Sequence, residues 1–232
     1  FLYPGIILLI LISSFVGMSW NIKTIYHNAE INIIQLFNSV SSQVEIKPAV
    51  NAIVPHISLQ QRIQQKVNYK DSSVRAFAVE KSLLYYDEYY FKFGQICRQL
   101  SLIRYIRDNY KYVRDPNGFD YFAPPQESIL LLAGDCDDYS ILMASTLKAI
   151  GADVRIIWAP GHVYPELYCG NKNGFDKYAG AICSFFEKEI GNKKIFYRLD
   201  KNGDYWINID YTDLYPGSTY YSEEVLSIIY IK

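Results

Sequence analysis

The stretch LLAGDCDDYSILMASTLKAIG, Leu131 to Gly151, places a cysteine among acidic residues at the first turn of an apolar-periodic helix. Leu142, Met143, Leu147 and Ile150 mark the face that such a helix buries, and Gly151 is placed to end it. A packing cysteine sits among apolar neighbours, whereas Cys136 sits at a corner beside Asp135, Asp137 and Asp138. A helix N-terminus offers unpaired N–H groups and partial positive charge, which favour a thiolate. The three carboxylates oppose it, so the position calls for a nearby cation.

The surrounding chain supplies one. After Gly151 the helical period gives way to strand-like runs: ADVRIIWA, GHVYPELYC, KIFYRL and DYWINID, with Asn202-Gly203 as a hairpin turn between the last two. His162, after a flexible Gly161, opens the second run and is the only histidine of the globular part. Asp210 closes the last run, where a neighbouring strand can set its carboxylate against the imidazole and fix its tautomer. His27 and His56 fall in the N-terminal segment and read as surface or packing residues.

Upstream, Asp71 is a good N-cap for a helix over SSVRAFAVEKSLLYYDEYY, and a second helix runs through Ile96, Leu100, Ile103 and Ile106. Cys97 lies near the apolar face of that second helix and reads as a buried structural thiol. RDPNGFDYFAPPQES is turn chemistry and predicts a long aromatic loop leading into the Cys136 segment. Helices first and antiparallel strands afterwards make the class α+β, with the Cys136 helix central and packed on the sheet.

The blocks GDCDDYSILMASTLKAIG, RIIWAPGHVYPELY and WINIDYT resemble the transglutaminase-like superfamily, and YIRDNYKYVRDPNGFDYFAPPQESILLLAGDC resembles the lead-in of its microbial members. The resemblance covers Asp71 to about Tyr215. It implies a papain/transglutaminase-like core with Cys136 as nucleophile, His162 as general base and acid, and Asp210 as orienting carboxylate. Tyr164 stands where many relatives carry tryptophan, which keeps an aromatic wall. Two donors are open for the oxyanion, the Cys136 backbone N–H and the side chain of Gln126, which lies in the loop before the helix. Glu166 shares the strand face of His162 by alternation, leaving it either behind the site or in a surface salt bridge.

The function expected is thiol-dependent acyl transfer or hydrolysis on a peptide or glutamine-type amide, as in cysteine peptidases and amidases. Hydrolysis is favoured over cross-linking, because a transferase must keep water from the acyl-thioester. The alternative is a catalytically silent binding or assembly module on the same fold. A net charge of −1 gives no basic excess for nucleic acid, and no cofactor is implied. No CxxC, HxxxH or HExxH occurs, which excludes an ordinary zinc motif, and DKNGDYWINIDY fails as a calcium loop because Tyr205 stands at its turn glycine and Tyr211 at its bidentate acid. Abundant tyrosine, 22 residues, points to half-buried aromatic surfaces.

The opening FLYPGIILLILISSFVGMSW carries no charge until Lys23, and Trp20 sits where an interfacial ring would stand. Residues 1–22 are therefore expected to form a transmembrane helix, with a signal-peptide core as the other reading. Residues 23–70 form a helical stalk interrupted at Pro48 and Pro55, and residues 71–232 the transglutaminase-like domain. The expected placement is membrane-anchored, with the domain outside the cytoplasm and a peptide or protein as substrate. There Cys169 and Cys183 could close a disulfide around the turn-rich GNKNGFDKYAGAI, the alternative being two reduced packing thiols.

Overall fold

The computed structural model describes residues 58–116, 120–212 and 214–231. The helix expected over residues 1–22, most of the expected stalk, His27 and His56 lie outside the described residues. Among the described residues no helix is long and apolar enough to cross a membrane. The unit that contains the site runs from His56 to Lys232.

Its first half is helical: α1 (Leu59–Lys66), α2 (Ser72–Ser82), a 3₁₀ turn at Asp87–Tyr89, α3 (Tyr90–Phe93) and α4 (Gln95–Asn109). Two-residue strands β1 (Lys111–Tyr112) and β2 (Ala133–Gly134) flank α5 (Pro125–Leu131) and lead into α6 (Cys136–Ala149). Then come β3 (Val154–Ala159), β4 (His162–Gly170), α7 (Lys172–Phe185), α8 (Glu187–Ile190), β5 (Arg198–Leu199), β6 (Tyr205–Asn208) and β7 (Ser227–Tyr230). The last five strands form one antiparallel sheet in the order β5-β6-β4-β3-β7. The α+β class is as expected, and α6 packs on β4 and β3.

Helix α6 is central and buried nearly all round: Ile141, Leu142, Met143, Ala144 and Leu147 are fully buried, and so are Ser140, Ser145 and Thr146. Each large apolar side chain among them contributes about 1.5–3 kcal/mol on leaving water. Val154, Ile156, Val163, Leu167, Ile207 and Ile229 meet the helices in one core, while Ile157, Ala159 and Tyr164 form a second cluster with Tyr220, Val225 and Ile228. Strand alternation divides the two faces, so the C-terminal segment covers the side that α6 does not. The β3–β4 hairpin turns through Pro160-Gly161, with Ala159 opposite His162 and Gly161 at φ 70°, the conformation that a type II turn asks of its third residue.

Two expectations need correction. The globular unit begins before Asp71: α1 carries a capping box between Ser58 and Gln61, buries Ile63 completely and sends Arg62 to Asp120 at 2.8 Å. The segment LQQRIQQK buries a single residue, so its pattern reads as stalk although Ile63 belongs to the core. A chain starting at Asp71 is expected to be less stable than one starting at His56 by about 2–5 kcal/mol, the range for loss of a large core side chain. Thermal unfolding of the two truncations measures this; equal midpoints would return α1 to the stalk.

The turn-rich GNKNGFDKYAGAI is mostly helix. Asn171 caps α7 by accepting from Gly174 N, and Phe175, Tyr178, Ala181, Ile182 and Phe185 bury one face. Gly174 is required there for a packing reason, since a Cβ would overlap the Cys169 carbonyl. Of the two readings open for Cys169 and Cys183, the structure has the reduced thiols: Cys169 is buried on β4, Cys183 is exposed on α7, and both are free. Cys97 is fully buried, as a packing thiol should be.

Candidate active site

Cys136 is the first residue of α6, and the sequence around it builds the corner. Gly134, at φ 154°, has no room for a side chain, because a Cβ would run into the Asp138 carboxylate and the Tyr110 hydroxyl. Asp135 is the N-cap, accepting from Asp137 N at 3.3 Å, and Asp138 completes a capping box. Asp138 also accepts from Ala123 N at 2.6 Å, which ties the aromatic loop to the helix head.

Two residues after this cap fasten the helix to the strands. The Ser140 hydroxyl lies 2.6 Å from the Cys136 carbonyl and 3.2 Å from the Val163 carbonyl, and the Tyr139 hydroxyl donates to Ile209 O at 3.2 Å. Val163 follows His162 and Ile209 precedes Asp210, so one turn of α6 is tied to both strand segments that carry the other two predicted residues. Sequence reasoning missed both; their signal was a pair of hydroxyl side chains one turn after the cysteine, just before the apolar run Ile141–Ala144.

The structure joins His162 and Asp210 directly. Both are buried, and Nε2 of the ring meets Asp210 Oδ2 at 2.6 Å. Asp210 lies two residues beyond the end of β6, where Ile209 N still donates to Pro165 O and carries the ladder on. Its other contacts hold it still: Tyr211 N donates to Oδ1 at 2.7 Å, Thr212 Oγ1 to Oδ2 at 2.9 Å, and Asp210 N donates to Asn208 at 3.0 Å. With Nε2 taken by the carboxylate, Nδ1 is the ring nitrogen left for other chemistry.

The half-buried Cys136 thiol accepts the backbone N–H of Val163, next to His162. Burial pushes the thiol up to about 12, with Asp135, Asp137 and Asp210 adding to the rise and the Val163 N–H opposing it. No hydrogen bond joins the sulfur to the imidazole. Desolvation and the neighbouring carboxyls thus oppose the thiolate that the helix terminus favours.

Gln126 stands in the first turn of α5 rather than in a loop, near Asp71, the N-cap of α2, whose carboxyl is held at about 2 by Ser73 first and Gln126 second. Its side-chain oxygen is buried without a partner.

Glu166 is not at the surface. Fully buried, its Oε2 meets Arg155 Nε at 2.7 Å and its Oε1 meets Arg198 at 3.2 Å. Arg198 also donates to the Tyr164 hydroxyl and, at 3.0 Å, to Ser222 O. Both connections reach the imidazole: Tyr164 stacks beside His162 at 5.7 Å between ring centres, and Tyr221, next to Ser222, lies at 4.5 Å. Nothing in the sequence marks Arg198 for this, since it stands on a two-residue edge strand 32 positions from Glu166.

Asp135, Asp137 and Asp138 each offer an oxygen within 4.8 Å of the others, hard donors suited to calcium or magnesium more than to zinc. Asp135 Oδ1 and Asp138 Oδ2 serve the cap and Asp138 Oδ1 takes the Ala123 N–H, but Asp137 Oδ1 is buried without a partner. Burial, then Asp135 and Asp138, raises the Asp137 carboxyl well above its ordinary range. Burial also lifts Asp138 to about 6 against the Ala123 N–H. Carboxyls raised on folding keep protons that the unfolded chain releases, so stability is greatest in acid and falls as pH climbs through the folded values. In chelator-containing buffer the unfolding midpoint is expected to fall between about pH 5 and pH 8, and Asp137→Asn to flatten that fall. A parent midpoint that rises over this interval would contradict the raised carboxyls.

These features define a class: an α+β protein in which a helix-headed thiol is set beside a strand-borne histidine–carboxylate pair. A family model described as the Transglutaminase-like superfamily matches residues 93–211, about half of the chain, and the protein belongs to that superfamily. Comparison with curated proteins finds no match.

Proposed function

We propose that the protein is a thiol-dependent enzyme acting on a peptide or glutamine-type amide, with Cys136 as nucleophile, His162 as base and acid, and Asp210 as the group that orients the ring. The observation that carries this reading is the buried His162–Asp210 hydrogen bond of 2.6 Å, set one residue from the Val163 N–H that meets the thiol. A binding module has no physical need for a buried imidazole fixed by a carboxylate beside a free thiol. Membership of the superfamily supports acyl chemistry in general terms.

The chemistry follows from the protonation states. The neutral thiol gives its proton to His162 Nδ1 as sulfur attacks the carbonyl carbon, and Asp210 stabilises the imidazolium that forms. Collapse of the tetrahedral intermediate expels the amine, which takes that proton and leaves a thioester on Cys136. Water then reverses the sequence and releases the acid. Exposed Tyr112 and Tyr221 leave the surroundings of the thiol open to solvent, which favours water over an amine as acceptor. The uncharged stretch over residues 1–22 would hold this activity at a membrane.

A panel of peptides and glutamine amides, assayed with and without an added primary amine, tests the proposal. Release of acid or ammonia that requires Cys136 is the expected result. Amine incorporation in preference to hydrolysis would make the protein a transferase. Binding without turnover by the parent and by Cys136→Ala alike would favour the silent module.

A further inference from the structure

The oxygen that an attacked carbonyl becomes needs a second donor beside the Cys136 N–H, one of the four that a helix start leaves without an intrahelical partner. The geometry points to Tyr112 as that donor, with Tyr211 as a positioning residue that holds its ring by stacking. The assignment rests on the acyl-transfer reading above.

Tyr112 is fixed beside the nucleophile by the short parallel ladder β1–β2. It stands in register with Gly134, two residues before Cys136, and flanking bonds of 2.8 Å from Lys111 N to Leu132 O and from Val113 N to Gly134 O lock the register. Tyr211 is fixed from the other side as the residue after Asp210. The two phenols meet face to face, 5.2 Å between centres and 19° between planes, and bridge the nucleophile loop and the carboxylate loop. Tyr211 in turn sets its ring edgewise to His162 at 5.8 Å and to Tyr139 at 5.6 Å, so its direction is set by the site itself.

Both phenols also lie within electrostatic reach of one another and of the Cys136 sulfur. Tyr112 is 49% exposed, open to an arriving carbonyl. When sulfur attacks, the C–S bond forms, the carbonyl π pair moves onto oxygen and the thiol proton passes to His162. Tyr112 donates to that oxygen without giving up its proton, and the π bond re-forms as the leaving group departs.

Two reagents separate this role from others at the same sulfur. Acylation by p-nitrophenyl acetate passes through an oxyanion, whereas alkylation by iodoacetamide displaces iodide and forms none. Tyr112→Phe keeps the stacked ring and is expected to slow acylation of Cys136 by about 10²–10³-fold, the cost of one oxyanion donor, while alkylation at the same pH keeps its rate. Tyr211→Leu, which removes the stacked ring, should slow acylation less and likewise spare alkylation, and Gln126→Ala should change neither. Undiminished acylation in Tyr112→Phe would overturn the proposal, as would equal losses in both reactions, which would place Tyr112 in thiol ionisation or access. A hundredfold acylation loss confined to Gln126→Ala would give the hole to Gln126. If the parent is acylated no faster than Cys136→Ala, the acyl-transfer reading itself falls and this assignment with it.

Discussion

His162→Ala is expected to lower turnover of an acyl substrate by at least about 10⁴-fold, the scale seen when a member of such a unit is removed. The size follows from the resting state. Burial and the neighbouring carboxyls raise the Cys136 thiol, so attack relies on a base that removes the proton as the bond forms. Asp210→Ala should also lose activity, since it frees Nε2 and with it the direction of Nδ1. Cys136→Ala removes the nucleophile and sets the floor. Iodoacetamide reports the thiol separately: labelling of Cys136 should climb only well above neutral pH, slower there than a free cysteine of pKa about 8.5. A labelling plateau below neutral that vanishes in His162→Ala would show a resting thiolate–imidazolium pair. Turnover that survives His162→Ala would remove the histidine from the mechanism.

Glu166→Ala should destabilise the fold by about 3–5 kcal/mol, the cost of leaving buried charge unpaired. Arg155, 2% exposed and lying over the Trp206 ring at 4.3 Å, would lose its carboxylate with no water to replace it. For a unit of this size the thermal midpoint should drop on the order of 10 °C. Glu166→Gln keeps an acceptor of the same shape and should lose less. The same substitution frees Arg198, which holds Tyr164 and Ser222 against the two flanks of His162. Activity in the surviving folded fraction is therefore expected to fall further than stability explains. A Glu166→Ala protein with the parent's midpoint would mean that the two guanidiniums reach solvent or another anion.

The cysteine at the head of α6, the histidine after the glycine of a turn and the aspartate after a strand were readable because each has a local signature. Cap, turn and alternation are properties of neighbouring residues, and they survive in a linear text. The hairpin at Asn202-Gly203 and the cap at Asp71 were readable for the same reason. Helix α7 was not, because Asn-Gly looks like a turn until Phe175, Tyr178, Ile182 and Phe185 find a core to dock on. Helix α1 was hidden by its polarity, with Ile63 alone to declare it.

What the chain determined unaided is thus the α+β order of elements, the positions of Cys136, His162 and Asp210, and the superfamily to which the blocks belong. Tertiary structure alone decided how those groups behave. Desolvation raises the thiol, the packing of α5 beside α2 brings Gln126 near Asp71, and a fold that closes over 32 residues brings Arg198 to Glu166. Propensity, capping and alternation act over a few residues, whereas burial, charge pairing and ring stacking depend on distances through space that residue spacing does not encode.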